Sequence, residues 1–238
     1  MKVDILAIGA HPDDIELSCA GTILKHIASG HTVGILDLTR GELGTRGTPE
    51  IREKEAAAAA KILGVSFRDN LGMADGFFKN DLDHQLQVIS KIRAYKPEIV
   101  LCNAVSDRHP DHGRAASLVS ESCFYSGLRK IETKTNGIVQ EIWRPKAVYH
   151  YLQDRYLKPD FLVDITAHMP RKIEAIRAFS SQFYDPSSAE PLTPISSKQF
   201  LDFIVSRNAH NGRDIQSDYA EAFTVDRTIG VSSLFDLT

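Results

Sequence analysis

The chain has 238 residues, 42% hydrophobic and 25% charged, enough for one α/β domain with a sizeable core. Twenty-eight Lys and Arg stand against 31 Asp and Glu, a formal net charge of −3, which leaves no basic excess for nucleic acid or an anionic membrane. No stretch approaches the ~20 apolar residues of a membrane span, and the start lacks a signal-peptide pattern, so a cytoplasmic protein with no membrane partner is expected.

Residues 3–9 form a short apolar run of β-formers that ends at Gly9-Ala10-His11-Pro12-Asp13-Asp14. Leu17, Ala20, Leu24, Ile27 and Ala28 then share one helical face, with Gly30 as the stop. A second buried strand is predicted at 33–38, followed by a polar, Gly-rich loop at 39–49 and a helix at 50–63. Leu82, Leu86, Ile89 and Ile92 mark another helix, closed by Lys96-Pro97. A third strand, 99–104, leads into Asp107-Arg108-His109-Pro110-Asp111-His112. Further strands are predicted at 147–152 and 161–165. They precede a helix with Pro170 in its first turn that carries Ile173, Ile176 and Phe183. A Pro-rich loop at 184–197 separates it from a last amphipathic stretch beginning near Ser197.

Alternating strands and helices predict a single α/β domain over residues 1–238, a Rossmann-like three-layer α/β/α arrangement with a mostly parallel sheet. Such sheets bind ligands beyond the carboxyl ends of their strands, where both His-rich segments fall. Cys19, Cys102 and Cys123 show no CxxC spacing and read as small buried hydrophobes rather than disulfides or thiolate ligands.

His11 and a carboxylate three residues on can grip one cation if a tight turn brings them together, and Pro12 restricts that turn. Adjacent side chains point in different directions, so one of Asp13 and Asp14 would bind metal while the other faces substrate. The alternative is that either merely caps the following helix. The second segment tips the balance, because it adds two histidines around Pro-Asp at a strand end. Three protein ligands with an open position for water is the pattern of a catalytic zinc site. Asp13 suits the base, and His109 suits proton donation or oxyanion stabilisation, with Asp111 orienting His109. A structural role for His109 is the competing reading. The loop at 40–49 is Gly-rich but lacks the Lys-Ser/Thr ending of a P-loop, so a substrate-covering loop is the better reading and an inert one the alternative.

Together, Ala10 to Asp14 and His109 to His112 resemble the paired motifs of the LmbE-like, or PIG-L, family of zinc-dependent N-acetylglucosaminyl deacetylases. Thr39-Arg40-Gly41-Glu42, Gly47 to Arg52, Asn70-Leu71-Gly72-Met73 and Tyr219-Ala220-Glu221 extend the resemblance and are most similar to the bacillithiol-biosynthesis branch, which acts on N-acetylglucosaminyl malate. The resemblance implies His11, Asp14 and His112 as metal ligands for zinc (Zn2+), with iron(II) (Fe2+) as the alternative ion. It implies Asp13 as general base, His109 as acid or electrostatic partner, and Asp111 behind it. Arg52 would meet the sugar, and Arg144 would pair with the base carboxylate, an ordinary strand-flanking charge being its alternative. Arg108 could clamp a malate carboxylate or form a local salt bridge. The family's oxyanion tyrosine aligns with Phe200, a departure that leaves the oxyanion to His109, the metal or another group. A homo-oligomer of dimers building a hexamer is also implied.

The expected function is therefore metal-dependent removal of the N-acetyl group from a small glucosamine conjugate. Other amides, such as thiol conjugates or chitooligosaccharides, are the alternatives within that chemistry. A non-catalytic metal- or sugar-binding protein is the alternative of a different class. A nucleotide-binding dehydrogenase is set aside, since the first strand turn lacks GxGxxG.

Overall fold

Continuous apolar runs become the central strands. In the computed structural model, which describes residues 1–237, Ile5–Gly9 (β1) and Val33–Thr39 (β2) are buried along their whole length. They lie beside Phe67–Met73 (β3), Ile99–Cys102 (β4), Ala147–Tyr151 (β7), Phe161–Asp164 (β8) and Ala220–Val225 (β9). The seven strands run in the order β3-β2-β1-β4-β7-β9-β8, and β9 alone runs against the direction of the others. Lys134–Thr135 (β5) and Ile138–Val139 (β6) form a separate small hairpin.

Alternation along β1 divides the core. Leu6 and Ile8 point to one face and pack with Val88 and Ile92 of Leu82–Tyr95 (α4) and with Leu118 and Val119 of Pro110–Tyr125 (α5). Ile5 and Ala7 point to the other, against Ile15 of Asp14–Ser18 (α1), Ile23 of Ala20–Ala28 (α2) and Ala175 of Met169–Arg177 (α6). Pro49–Leu63 (α3) starts on a Thr48 cap with Pro at its first position and stops at left-handed Gly64. Lys198–Asp214 (α7) starts on a Ser197 cap. The expected α/β architecture with a mostly parallel sheet is what the chain adopts. Among the described residues no helix is long and apolar enough to cross a membrane, and all three cysteines are free and buried.

Three details differ from expectation. The helix predicted across Leu17 to Ala28 is broken at Cys19. There Glu221, fully buried and paired with Lys172, accepts from the amides of Gly21 and Thr22 at the start of α2. Second, β3 is polar because its Arg68 side chain is buried, bridging Asp37 at 2.7 Å and Glu16 at 2.6 Å. Third, α6 ends at Arg177, so Phe183 lies beyond it, although it is still core.

Candidate active site

The carboxyl ends of β1, β4 and β7 open into a cleft of about 320 Å³, a size suited to a small ligand. Directly after β1 the chain turns so sharply that Asp13 adopts φ 125°, a conformation L-residues occupy only at a cost of roughly 1–3 kcal/mol. Its side chain makes no cap bond to α1, which rules out the capping alternative. Instead Asp13 Oδ2 lies 2.9 Å from Arg52 Nη2, and both residues are buried at the cleft.

Asp14 turns the opposite way. Its Oδ2 accepts from the His11 amide at 3.0 Å and from Asn103 Nδ2 at 2.9 Å, while Oδ1 accepts from Gln153 Nε2 at 3.0 Å. His112 Nε2 lies 3.1 Å from Asp14 Oδ1, and His11 Nδ1 lies 3.6 Å from Asp14 Oδ2. Each histidine is gripped from behind. His11 Nε2 faces Asp75 at 3.0 Å and Asp111 at 3.3 Å, and His112 Nδ1 faces Asp107 at 2.5 Å. One ring nitrogen on a carboxylate and the other turned to a shared acid is how metal-binding histidines are oriented. Asp14 thus stands between the two rings, and the donor types of His11, Asp14 and His112 suit a divalent cation. Among the described residues, the sets whose ligand atoms lie within 4.8 Å of one another are His11, His109 and His112, and His11, Asp75 and Asp111, so His109 stands at the edge of the same site.

Pro110 at the first turn of α5 and His109 as its N-cap set the second motif. His109 Nδ1 accepts from the Asp111 amide at 3.3 Å, so in the neutral ring that hydrogen bond assigns the proton to Nε2.

The two adjacent carboxyls are driven apart. Burial lifts Asp13 above the usual carboxylate range, and Arg52 opposes this only in part. Asp14 is also buried, but His112 and His11 outweigh burial and hold it well below that range. Burial opposes charge on His112, yet Asp14 and Asp107 raise it to about 9. His109 is pushed down, by burial first and then by His11 and His112.

Two expected contacts are corrected. Asp111 does not orient the His109 ring with its carboxylate; Oδ2 reaches His11 and the Gly76 amide, and Oδ1 takes Arg114. Arg144 does not pair with Asp13. It precedes a parallel strand and therefore lies at the opposite end of the sheet, where its guanidinium stacks 4.3 Å from the Phe124 ring centroid and donates to the Phe124 carbonyl. Arg52 stands beside Asp13 instead. Arg108 borders the cleft and is bonded to Asp154. Phe200 lines the cleft, and no tyrosine does among the described residues. Sequence reasoning left Asp75, Asp107, Asn103 and Gln153 without roles. Gln153 immediately follows the strand predicted at 147–152, and Asn103 is the one polar residue near the carboxyl end of that predicted at 99–104; this placement is the one signal that could have found them.

The outer walls come from two loops. Leu43, Gly44 and Thr45 of the Gly-rich loop face Thr193, Pro194 and Ile195. Behind them Arg46 donates to Ser188, the Gly47 amide donates to Glu190, and Gln182 donates to the Arg46 carbonyl. Leu43 to Thr45 of the loop at 40–49 therefore form part of the cleft wall.

Residues 6–123 match the family described as PIG-L: GlcNAc-PI de-N-acetylase. Diacetylchitobiose deacetylase of Thermococcus kodakarensis is 31% identical over 189 residues, spanning 75% of this chain and 70% of that protein. A probable N-acetyl-alpha-D-glucosaminyl L-malate deacetylase 2 of Bacillus anthracis is 28% identical over 199 residues, spanning 75% of this chain and 81% of that one. The crystal structure of a conserved protein from Thermus thermophilus superposes with a TM-score of 0.84 at 35% identity, covering 97% of this chain and 98% of that one.

Proposed function

The chain belongs to the PIG-L family of de-N-acetylases, and on that footing we propose that it hydrolyses the N-acetyl amide of a glucosamine conjugate, releasing acetate and a free amine. The observation that carries this reading is the divergence of two neighbouring carboxylates, Asp14 turned to the histidines and Asp13 turned to Arg52 and the cleft.

His11, Asp14 and His112 would hold a divalent ion, zinc or iron(II) by their donor chemistry, which when bound would polarise the amide carbonyl and make water more acidic. Asp13 takes the proton of the attacking water as its oxygen bonds to the acetyl carbon. The C–N bond then breaks as the proton held by Asp13 passes to the leaving nitrogen. His109 Nε2–H donates to the carbonyl oxygen as charge collects there, the task a tyrosine would otherwise share. Asn103 and Gln153 keep Asp14 turned away from that chemistry.

Within this class the preferred substrate is N-acetylglucosaminyl malate, a reading supported by the Bacillus relative's name and by cations along the cleft. Diacetylchitobiose is the second reading, favoured by the Thermococcus relative. Acetate release should be measured on both, and on N-acetylglucosamine, with protein of known metal content. Metal-dependent release that is lost in Asp13→Asn while metal stays bound is the expected outcome. No release from any of the three by metal-loaded protein would sink the proposal.

A further inference from the structure

We propose that Arg207 receives a negatively charged group on the substrate's aglycone, so that the chain selects anionic glucosamine conjugates over neutral oligosaccharides. The inference rests on the deacetylase reading and names what that site accepts.

Three guanidiniums line the cleft: Arg52, Arg108 and Arg207. Two are engaged. Arg52 is bonded to Asp13 and to the carbonyls of Pro12 and Gly41, and Arg108 is paired with Asp154. Arg207 donates once, from Nη2 to the Leu17 carbonyl at 3.1 Å, and among the described residues no carboxylate oxygen comes within 4.0 Å of it. A guanidinium carries five N–H donors, so most of its capacity is free. The carboxylates of Glu221, Asp154 and Asp107, Glu221 first, act on it only at longer range, and Glu221 is taken by Lys172 and the amides of Gly21 and Thr22. Asp107 is taken by His112 and by the amides of Asp154 and Arg155, and Asp154 by Arg108.

The surroundings make the cation conspicuous. Phe200, Ile204 and Arg207 follow at helical spacing, so one face of α7 looks into the cleft. Leu17, Pro194 and Ile195 add further apolar wall. The side chain is held, with Cζ 5.5 Å from the Phe203 ring centroid. Burial pushes Arg207 down to about 10, which leaves it charged at neutral pH. A half-buried cation held at an apolar wall, with no carboxylate in direct contact, is set for an anion that arrives with the ligand.

Its location suits an aglycone. Leu17, whose carbonyl Arg207 holds, is one turn along α1 from Asp14, about 5 Å. An acetamide reacting beside Asp14 would leave the sugar's neighbouring anomeric substituent within reach of that next turn. A carboxylate there would meet the planar edge of Arg207, whereas a second neutral sugar would leave the cation unpaired.

Arg207→Met and Arg207→Lys should be compared with the parent enzyme, all metal-loaded, on N-acetylglucosaminyl malate and on methyl N-acetylglucosaminide. Arg207→Met is expected to raise KM for the malate glycoside roughly 10- to 100-fold, with kcat little changed. KM for the methyl glycoside should stay within about 3-fold, and Arg207→Lys should recover part of the loss. Malate alone should raise the melting temperature of the parent and not of Arg207→Met. Equal losses on both substrates, or none on the malate glycoside, would overturn the proposal. If Arg207→Met does not fold, a parent enzyme that prefers the neutral glycoside overturns it equally. Absence of acetate from both substrates would instead remove the deacetylase reading, and the malate shift would still judge Arg207.

Discussion

Arg52 Nη2 lies 2.9 Å from Asp13 Oδ2, and the same guanidinium donates to the carbonyls of Pro12 and Gly41. One side chain thus fixes the carboxylate in the cleft and the loop that passes over it. Arg52→Met is expected to lower kcat by about 100-fold or more, with a smaller change in KM, because a displaced base costs chemistry rather than affinity. Steady-state kinetics separate the cases: a raised KM at unchanged kcat would assign Arg52 to holding the sugar.

The backbone at Asp13 gives a second expectation. Asp13→Ala and Asp13→Gly both remove the carboxylate and leave Arg52 unpaired, but only glycine accepts φ 125° freely. The glycine variant should be the more stable of the two by about 1 kcal/mol, or ~2–4 °C in Tm for a chain of this size. Calorimetry on the pair reads the difference directly. Equal melting points would mean that the turn carries no strain.

Asp107 sits 2.5 Å behind His112 and also accepts from the amides of Asp154 and Arg155. Asp107→Asn keeps the shape but loses the charge that orients the imidazole. Metal affinity should fall roughly 10- to 100-fold, measured by competition with a chromogenic chelator. Unchanged affinity would show that His112 needs no such support.

A pH dependence follows from a pair that does not line the cleft. His150 Nδ1 lies 2.8 Å from the Asn103 carbonyl and Nε2 lies 2.9 Å from Asp226 Oδ1, so both ring nitrogens face acceptors. Burial opposes the charge, but Cys102, Asp226 and Asn103 outweigh it and raise His150 to about 11. A raised histidine contributes stability that is complete below its unfolded value near 6.5 and declines as pH climbs toward the folded value. Asp226 is lowered, by His150 first, so its share is present above pH ~4 and lost below. Asp226→Asn should therefore lower Tm by roughly 2–5 °C near pH 5–6, and by less at pH 9. A deficit that grows toward pH 9 would contradict the assignment.

Much of this was legible because burial and chemistry leave different marks. β1, β2 and β4 are buried on both faces and so read as apolar runs, broken in β2 only at Asp37. His11, Asp13, Asp14, His109 and His112 stand out as polar groups placed where such runs end. β3 did not stand out, because it is an edge strand with only Met73 fully buried, and its Arg68 side chain is turned in to answer Asp37 and Glu16. β9 escaped too, since its Glu221 is buried only by virtue of Lys172 and the start of α2. Asp111 was placed in the right motif with the wrong partner, because sequence nearness to His109 says nothing of the carboxylate's direction. Arg144 was misplaced by the same limit, a matching residue type at the wrong end of its strand. Free cations such as Arg207 are invisible in a sequence, for only the folded structure shows which guanidiniums have found partners.

The joining of the two loops through Arg46, Gln182 and Glu190 bears on how this scaffold changes its clientele. Everything that performs the hydrolysis hangs from strand ends and helix starts, while the outer rim is built from two segments that grip each other. A lineage can then retailor the rim and keep the chemistry, but only by revising both segments together. Grafting residues 41–49 alone from a relative that lacks Arg46 would leave Ser188 and Glu190 without its guanidinium; a graft that also carries 182–197 moves the rim as one inherited piece.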